Sequence, residues 1–491
     1  MANGGIIGTV NNPTSSTATG VWQQEEQYEA KVTGTWPQRA LFTTKSARFN
    51  SASSDYLNRT PGSTGNRKTF TMSFWIKRSK LSSNANIFSA TNDASSSNAR
   101  FYVLFGSDNA LSLKQYDGSN TNFDLTTNRK FSDSSAWYHI VYNFDSSNGT
   151  ADNRQKIWVN GVQETSFSSR VNPSLNYDSF VNQTKPQNIG NDTNVSSRFF
   201  GGYMAEFIFV DGQSLAPTSF GVADSSGFWS PIPYAGTFGT NGFNLQFENA
   251  AALGTDSSSN GNTFTVNNLT SIDQSTDYPV VNFATLNPLI RTYGTQVFSN
   301  GNLTSLNATN EPAWSHAIAT LGASTGKYYW EIKVSGATPW IWTGIISEAV
   351  DVRTQYLYNE NTGTFLYGNN GNKYLNGSAA SSFFASLATN DIVSVALNLD
   401  DNKITFYKNG TATPNATALD LPANLSSTTV FPATTIVNGA SIKSNFGNGF
   451  FGTTAITTNS GNGYAGAEGA SKFNYQPPSG YSALNTKGLN Q

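Results

Sequence analysis

The strongest constraint in this chain is alternation with a period of two. In residues 67–79, RKTFTMSFWIKRS, Phe70, Met72, Phe74 and Ile76 fall on one side and Thr69, Thr71, Ser73 and Trp75 on the other. Successive side chains of a strand point to opposite faces, so this stretch reads as β-strand with one face in a core. SAWYHIVYNFD (135–145), QKIWVNGVQE (155–164) and FFGGYMAEFIFVDGQSL (199–215) add further strands. In residues 390–411, Ile392, Val393, Val395, Leu397 and Leu399 run into a turn at 400–402, and Ile404 and Phe406 return beside them. Asn160-Gly161 and Asn409-Gly410 are the dipeptide favoured by tight hairpin turns. Helical periodicity is scarce. The best candidate is 21–32, with Val21, Glu25, Tyr28 and Val32 on one face and Glu25 and Glu26 in its first turns. At about three turns it is marginal alone and is expected to order against a partner.

Charged residues make up only 12% of the chain, against a typical share of about 25%. Asn, Ser, Thr and Gly crowd the gaps between apolar runs instead, which is the pattern of an all-β protein with many turns. At 491 residues the chain has room for roughly two to four domains. The net charge is −2 and no stretch concentrates Lys or Arg, which argues against nucleic-acid binding. No apolar run approaches the roughly 20 residues that span a bilayer, so membrane insertion is not expected. Cysteine is absent, which excludes disulfides and thiolate chemistry. That suits a chain that folds in a reducing cytosol and later meets the exterior.

Five regions follow: 1–39, 40–255, 256–293, 294–452 and 453–491. FTMSFWIK, WYHIVYNFD, KIWVNGV and GYMAEFIFVDGQSLAPTSF, in that order, resemble a laminin G-like, concanavalin A-like jelly-roll sandwich over 40–255. The polar, proline-punctuated 256–293 reads as a connector packed on its neighbours. From 294 to 452 the order YYWEIKV, a buried GII strand, the hairpin around LNLDD and ITFYKNG, and an FPA…NFG ending resembles a SPRY domain. The fold class is therefore all-β, two β-sandwich domains with extended N- and C-terminal segments.

Catalytic signals are weak. The two histidines, His139 and His316, read as structural imidazoles, and no G-x-S-x-G elbow marks a nucleophile. Glycosidases need two carboxylates flanking a sugar. Glu206 and Asp211 are five apart and fall on opposite faces of a regular strand, while Glu331 stands alone in its strand. The chain is thus expected to bind rather than cleave, with no cofactor. Calcium is the one ion with candidate oxygen ligands, Asp145, Asn148 and Asp152 in one loop and Asn191 and Asp192 in another. Ordinary turn chemistry is the favoured reading of both. Trp342 reads as core. Trp340, Tyr356, Tyr358, Asn359 and Asn361 are candidates for a ligand surface, since flat rings beside amides suit a sugar.

The opening segment combines sparse anchors with flexible spacers, and such segments order on docking. Together with GIIG and NNPTSS at the start, the STATGVW variant, the 256–288 connector and the PPSGYSALNT ending, the chain resembles virion structural proteins of tailed phages, especially marine ones, often labelled tail fibre. The resemblance implies a virion component and points to host recognition. Residues 1–39 then attach it to other virion proteins through Ile6, Ile7, Val21, Trp22, Tyr28 and Trp36. The sandwiches face a host-surface glycan or receptor, as a homo-oligomer. A polysaccharide-degrading enzyme and a decoration protein without ligand are the alternatives.

Overall fold

The computed structural model describes residues 44–490, apart from 93–98, 225–226, 291–293, 309–313, 337–339, 354–356, 358–362, 382, 414–416 and 457–462. The chain separates into a unit of Met1–Thr44 and a unit of Lys45–Gln491. The candidate helix at 21–32 and the six docking anchors lie outside the described residues.

The second unit holds two β-sandwiches. In the first, Thr69–Arg78 is central, flanked by Trp137–Asp145 and Gly202–Asp211 in an eight-stranded antiparallel sheet. A second eight-stranded sheet runs from Phe167–Val171 to Thr265–Asn267. The inward phase of the strands fills the space between them: Phe70, Met72, Phe74 and Ile76 meet Phe101, Phe123, Tyr142 and Phe144 in one core. The second sandwich pairs a nine-stranded sheet, centred on Lys327–Ser335 and Ile392–Asn398, with a six-stranded sheet containing Trp340–Ser347 and Val430–Val437. Its core includes Trp330, Ile332, Ile345, Val395 and Phe406.

The turns obey their sequence. Asn160 and Gly161 have φ of 49° and 80°, and Asn409 and Gly410 have 50° and 81°. Positive φ at both central residues gives the turn whose twist matches its flanking strands. Residues after 256 do more than link. Thr265–Asn267 pairs with Tyr56–Arg59, and Gln274–Ser275 pairs with Ser46–Ala47, so this stretch supplies an edge strand to each sheet of the first sandwich. The C-terminal segment is equally built in: Ser482–Ala483 pairs in parallel with Tyr328–Tyr329, and Leu484 enters the second core.

The two sandwiches are fastened through an ammonium ion. Lys77, on the outward phase of Thr69–Arg78, donates to Asp277 Oδ2 at 2.8 Å, Asn282 Oδ1 at 2.7 Å and the Phe283 carbonyl at 2.8 Å. Asp277 also accepts the Trp137 indole N–H at 2.9 Å. Phe283 belongs to an apolar cluster with Tyr329, Phe473 and Ala483 on the second sandwich. Nearby, Tyr203 Oη donates to the Gly301 carbonyl at 3.0 Å. Lys77 and Asp277 are 1% and 2% exposed. Burial pulls the Lys77 pKa down and pushes that of Asp277 up, and their mutual attraction opposes both shifts.

Removing one partner leaves the other charge buried and unpaired, at a cost on the order of 3–5 kcal/mol. Lys77→Ala is expected to lose that much in chemical denaturation. A loss under about 1 kcal/mol, the value of an exposed pair, would contradict the assignment.

Candidate functional site

In a strand that packs its inward phase into a core, the other phase must meet water or be covered. Here Trp75 and Lys77 on Thr69–Arg78, and Trp137, His139 and Val141 on Trp137–Asp145, form an outward face that is nearly all buried. Its cover is the hairpin of Gly221–Ala223 and Trp229–Pro231 together with residues 277–283. Phe220 packs on Val141, Ile208 and Val210, while Trp229 packs on the cluster of Trp75, Trp137, Tyr203 and Ala205. The cover is incomplete. A cavity of about 330 Å³ remains, lined by Trp75, Trp137, Trp229, Phe228, Asn160 and Asn282, with Pro279 and Thr486 at its wall.

The aromatic walls are fixed by polar contacts behind them. Trp229 Nε1 donates to His139 Nδ1 at 2.9 Å. An indole can only donate, so the neutral His139 carries its proton on Nε2 and donates to Ser73 Oγ at 2.8 Å. His139 is fully buried and lies between the Trp75 and Trp229 rings, with centroids 4.6 Å and 6.0 Å away. Burial lowers its pKa to about 3, so it stays neutral and serves as a bracket for the two indoles. Trp229 also needs two glycines. A Cβ on Gly161 would stand 2.6 Å from its ring, and one on Gly221 2.5 Å. Asn160 Oδ1 accepts the His139 backbone N–H at 2.8 Å, which orients that amide at the cavity edge.

Of the three indole N–H groups, that of Trp137 goes to Asp277 and that of Trp229 to His139. Trp75 is 2% exposed, yet its N–H has no hydrogen-bond partner among the described residues. The nitrogen is not among the unpaired atoms sealed from water, so Trp75, which lines the cavity, keeps an accessible donor that no described group of the chain occupies.

The residues singled out from the sequence divide into several groups. Trp340, at 49% exposure, is the one large ring on the outer face of the second sandwich's six-stranded sheet that stands open among the described residues. It lies 6.4 Å from the buried Trp342, which packs on Trp314 at 4.4 Å and on Tyr374 at 6.1 Å. Tyr356, Tyr358, Asn359 and Asn361 lie outside the described residues. His316 is buried, with Nδ1 3.0 Å from Thr435 Oγ1.

Glu331, Asp211, Asp145, Asp152 and Asp192 are occupied by groups of the chain itself. Glu331 is fully buried and accepts the backbone N–H groups of Asn474 and Tyr475 at 2.9 and 2.8 Å and the Asn445 amide at 3.0 Å. It clamps the C-terminal segment rather than facing a cleft. Burial raises its pKa to about 7. Glu206 and Asp211 do not lie on a regular strand: a bulge falls between Ala205 and Ile208, with Glu206 at φ 47°. Asp211 accepts from Asn66 N, Asn182 Nδ2 and Asn241 N at 2.8, 2.6 and 3.1 Å. In the calcium candidates, Asn148 Oδ1 accepts Thr150 N at 3.0 Å and Asp145 Oδ1 accepts Ser147 N at 3.2 Å. Asp152 meets Arg170, Asn191 Oδ1 accepts the Asp192 N–H at 2.7 Å, and Asp192 pairs with both Arg100 and Arg198. Among the described residues no three His, Cys, Asp or Glu side chains gather as a metal would require.

Trp75 falls on the non-core phase of its strand in the sequence and is not among the ligand residues expected from it. A signal was present: Trp75, Trp137 and His139 all sit on the outward phase of strands whose inward phase is already apolar.

Residues 51–216 match the model of the concanavalin A-like lectin/glucanases superfamily, and residues 327–449 match that of the SPRY domain. No curated protein matches the chain. Among solved structures, the SPRY domain of human HERC1 is 17% identical with a TM-score of 0.26, over 30% of this chain and 91% of that one. The PSpry domain of TRIM65 is 14% identical with a TM-score of 0.27, over 33% and 92%. Stonustoxin is 18% identical with a TM-score of 0.26, over 33% and 27%. The chain carries a concanavalin A-like domain followed by a SPRY domain.

Glu331 generates a pH dependence. Its folded pKa of about 7 exceeds the ordinary 4.5, so the folded state holds a proton that the unfolded state has released between those values. Its contribution is fully present below about pH 4.5 and is lost as pH rises through 7. Relative to Glu331→Gln, the wild type is expected to lose stability across that window, by at most on the order of 3 kcal/mol. His139 slopes the other way and cancels in the comparison. A difference that stays flat from pH 4.5 to 7 would refute the raised pKa of Glu331.

Proposed function

We propose that this protein is a surface-recognition component of a virion, held to the particle by its first 39 residues and binding a neutral glycan in the aromatic cavity of the first sandwich. The observation that carries the glycan reading is the set of three indoles around one cavity, with the Trp75 N–H unpartnered. Indole faces match the apolar C–H face of a pyranose, while the indole N–H and the Asn160 amide can bond its hydroxyls. Among the described residues the cavity lining carries no charged side chain, which favours an uncharged sugar over a uronic or sialic acid. The match of residues 51–216 to a lectin and glucanase superfamily supports a recognition role for this domain.

The protein binds without cleaving. Glycoside hydrolysis takes a pair of carboxyl groups about 5–10 Å apart across the bond, and the cavity lining includes none among the described residues. The virion setting rests on the sequence resemblance, which runs through the opening segment, both sandwiches, the connector and the ending. In that setting Ile6, Ile7, Val21, Trp22, Tyr28 and Trp36 lie against another virion protein. Homo-oligomerisation multiplies weak single-site sugar binding. The exposed Trp340 is a second, smaller platform for the same kind of ligand.

Titration with methyl glycosides of glucose, galactose, mannose and N-acetylglucosamine, followed by tryptophan fluorescence, tests the glycan reading. Binding is expected for at least one of them and not for glucuronate, with Trp75→Phe weakening it roughly 5–10-fold through the lost N–H. Unchanged binding in Trp75→Phe and Trp229→Ala would refute the site. Release of oligosaccharide from host polysaccharide would favour an enzyme. Deleting residues 1–37 is expected to leave both sandwiches folded and the protein missing from purified particles. Normal incorporation of the deletion would refute the attachment role.

A further inference from the structure

The wall of the cavity opposite the first sandwich comes from two distant parts of the chain. Asn282 and Pro279 stand in the stretch after the first sandwich, and Thr486 stands near the C-terminus. Thr486 and Asn282 are tied in both directions: Thr486 N–H donates to the Asn282 carbonyl at 3.0 Å, and Asn282 N–H donates to Thr486 Oγ1 at 3.1 Å. The same hydroxyl reaches the Val280 carbonyl at 3.4 Å. The Asn282 side chain is held from the other side, its Oδ1 by Lys77 and its Nδ2 on the Ser135 carbonyl at 2.6 Å.

Thr486 is itself positioned by a segment that is seated on the second sandwich. Phe473 is fully buried and packs edge-on against Tyr329 at 4.8 Å. Glu331 grips the two residues that follow it. Glu468 accepts the Ala483 N–H at 2.8 Å, and the Leu484 carbonyl accepts Ala284 N–H at 2.9 Å. The C-terminal segment thus runs from a carboxylate clamp on one sandwich to the cavity wall of the other.

We propose that the C-terminal segment is part of the sugar site, with Thr486 as a positioning residue that sets Asn282 and Pro279, so that sugar occupancy and seating of the segment strengthen each other. The inference rests on the sugar reading of the cavity. A sugar in the cavity touches a wall to which Thr486 belongs only when the segment is seated. By linkage, seating must then favour the sugar by the same factor as the sugar favours seating.

Two measurements on the full chain test this, with methyl β-glucoside and N-acetylglucosamine as probes. Thr486→Val removes the hydroxyl at nearly constant shape, and Thr486→Ser keeps it. Affinity is expected to fall about 10-fold in Thr486→Val and to return within about two-fold of wild type in Thr486→Ser. A residue that only stabilised the fold would not give this rescue in affinity. The second measurement uses the wild type alone, so it holds even where a variant folds poorly. Saturating probe is expected to slow tryptic cleavage after Lys472, which requires the segment to lift, by a similar factor. Wild-type affinity in Thr486→Val together with an unchanged cleavage rate overturns the coupling and leaves the sugar site standing. Failure of every glycoside to bind the wild type overturns the sugar reading and the coupling with it.

Discussion

One buried ammonium organises the middle of this molecule. Lys77 leaves the first sandwich on the outward side of its central strand and takes three acceptors, all from residues 277–283. Asp277 in turn fixes Trp137, Asn282 contributes to the cavity wall, and Phe283 packs with the second sandwich. A lysine in that position must find acceptors or stay in water, because an isolated buried charge costs far more than the fold can spare. The stretch after the first sandwich supplies them, and by doing so it lies down over the outward face. The geometry of the cavity and the joint between the sandwiches therefore depend on the same contact.

The consequence is a body in which two β-sandwiches share structure. The sequence suggests separate domains joined by a polar connector. In the structure the connector gives edge strands to one sandwich and apolar side chains to the other, and the C-terminal segment adds a strand and Leu484 to the second sandwich and puts Thr486 at the cavity wall of the first. Glu331 illustrates the difference. Read along the chain it is a solitary acid in a strand. In space its oxygens gather the backbone donors of Asn474 and Tyr475, more than 140 residues later.

What the sequence revealed was local. Period-two alternation identified the strands and their inward phase, because the pleat makes that relation independent of distant residues. Asn160-Gly161 and Asn409-Gly410 fixed hairpins for an equally local reason, since both residues must take positive φ. Alternation also says which side chains point outward, but not what lies over them. Trp75, Trp137 and His139 were legible as outward, whereas their cover, Trp229, sits some 90 residues from His139 and the acceptor for Lys77 lies 200 residues away. Such pairings leave no trace in a spacing rule. The bulge at Glu206 escaped for another reason: nothing in GYMAEFIFVDG distinguishes an inserted residue from a regular step.

The three indoles around the cavity hold their hydrogen-bond donors in different states, and that difference is the most direct test of the account. In a nitrogen–proton correlation spectrum of the full chain, titrated with methyl β-glucoside and N-acetylglucosamine, the indole N–H of Trp75 should show the largest movement. Those of Trp137 and Trp229, already bonded to Asp277 and His139, should shift little. A spectrum in which the Trp75 resonance stays fixed while the sugar binds, or in which the exposed Trp340 alone responds, would contradict it.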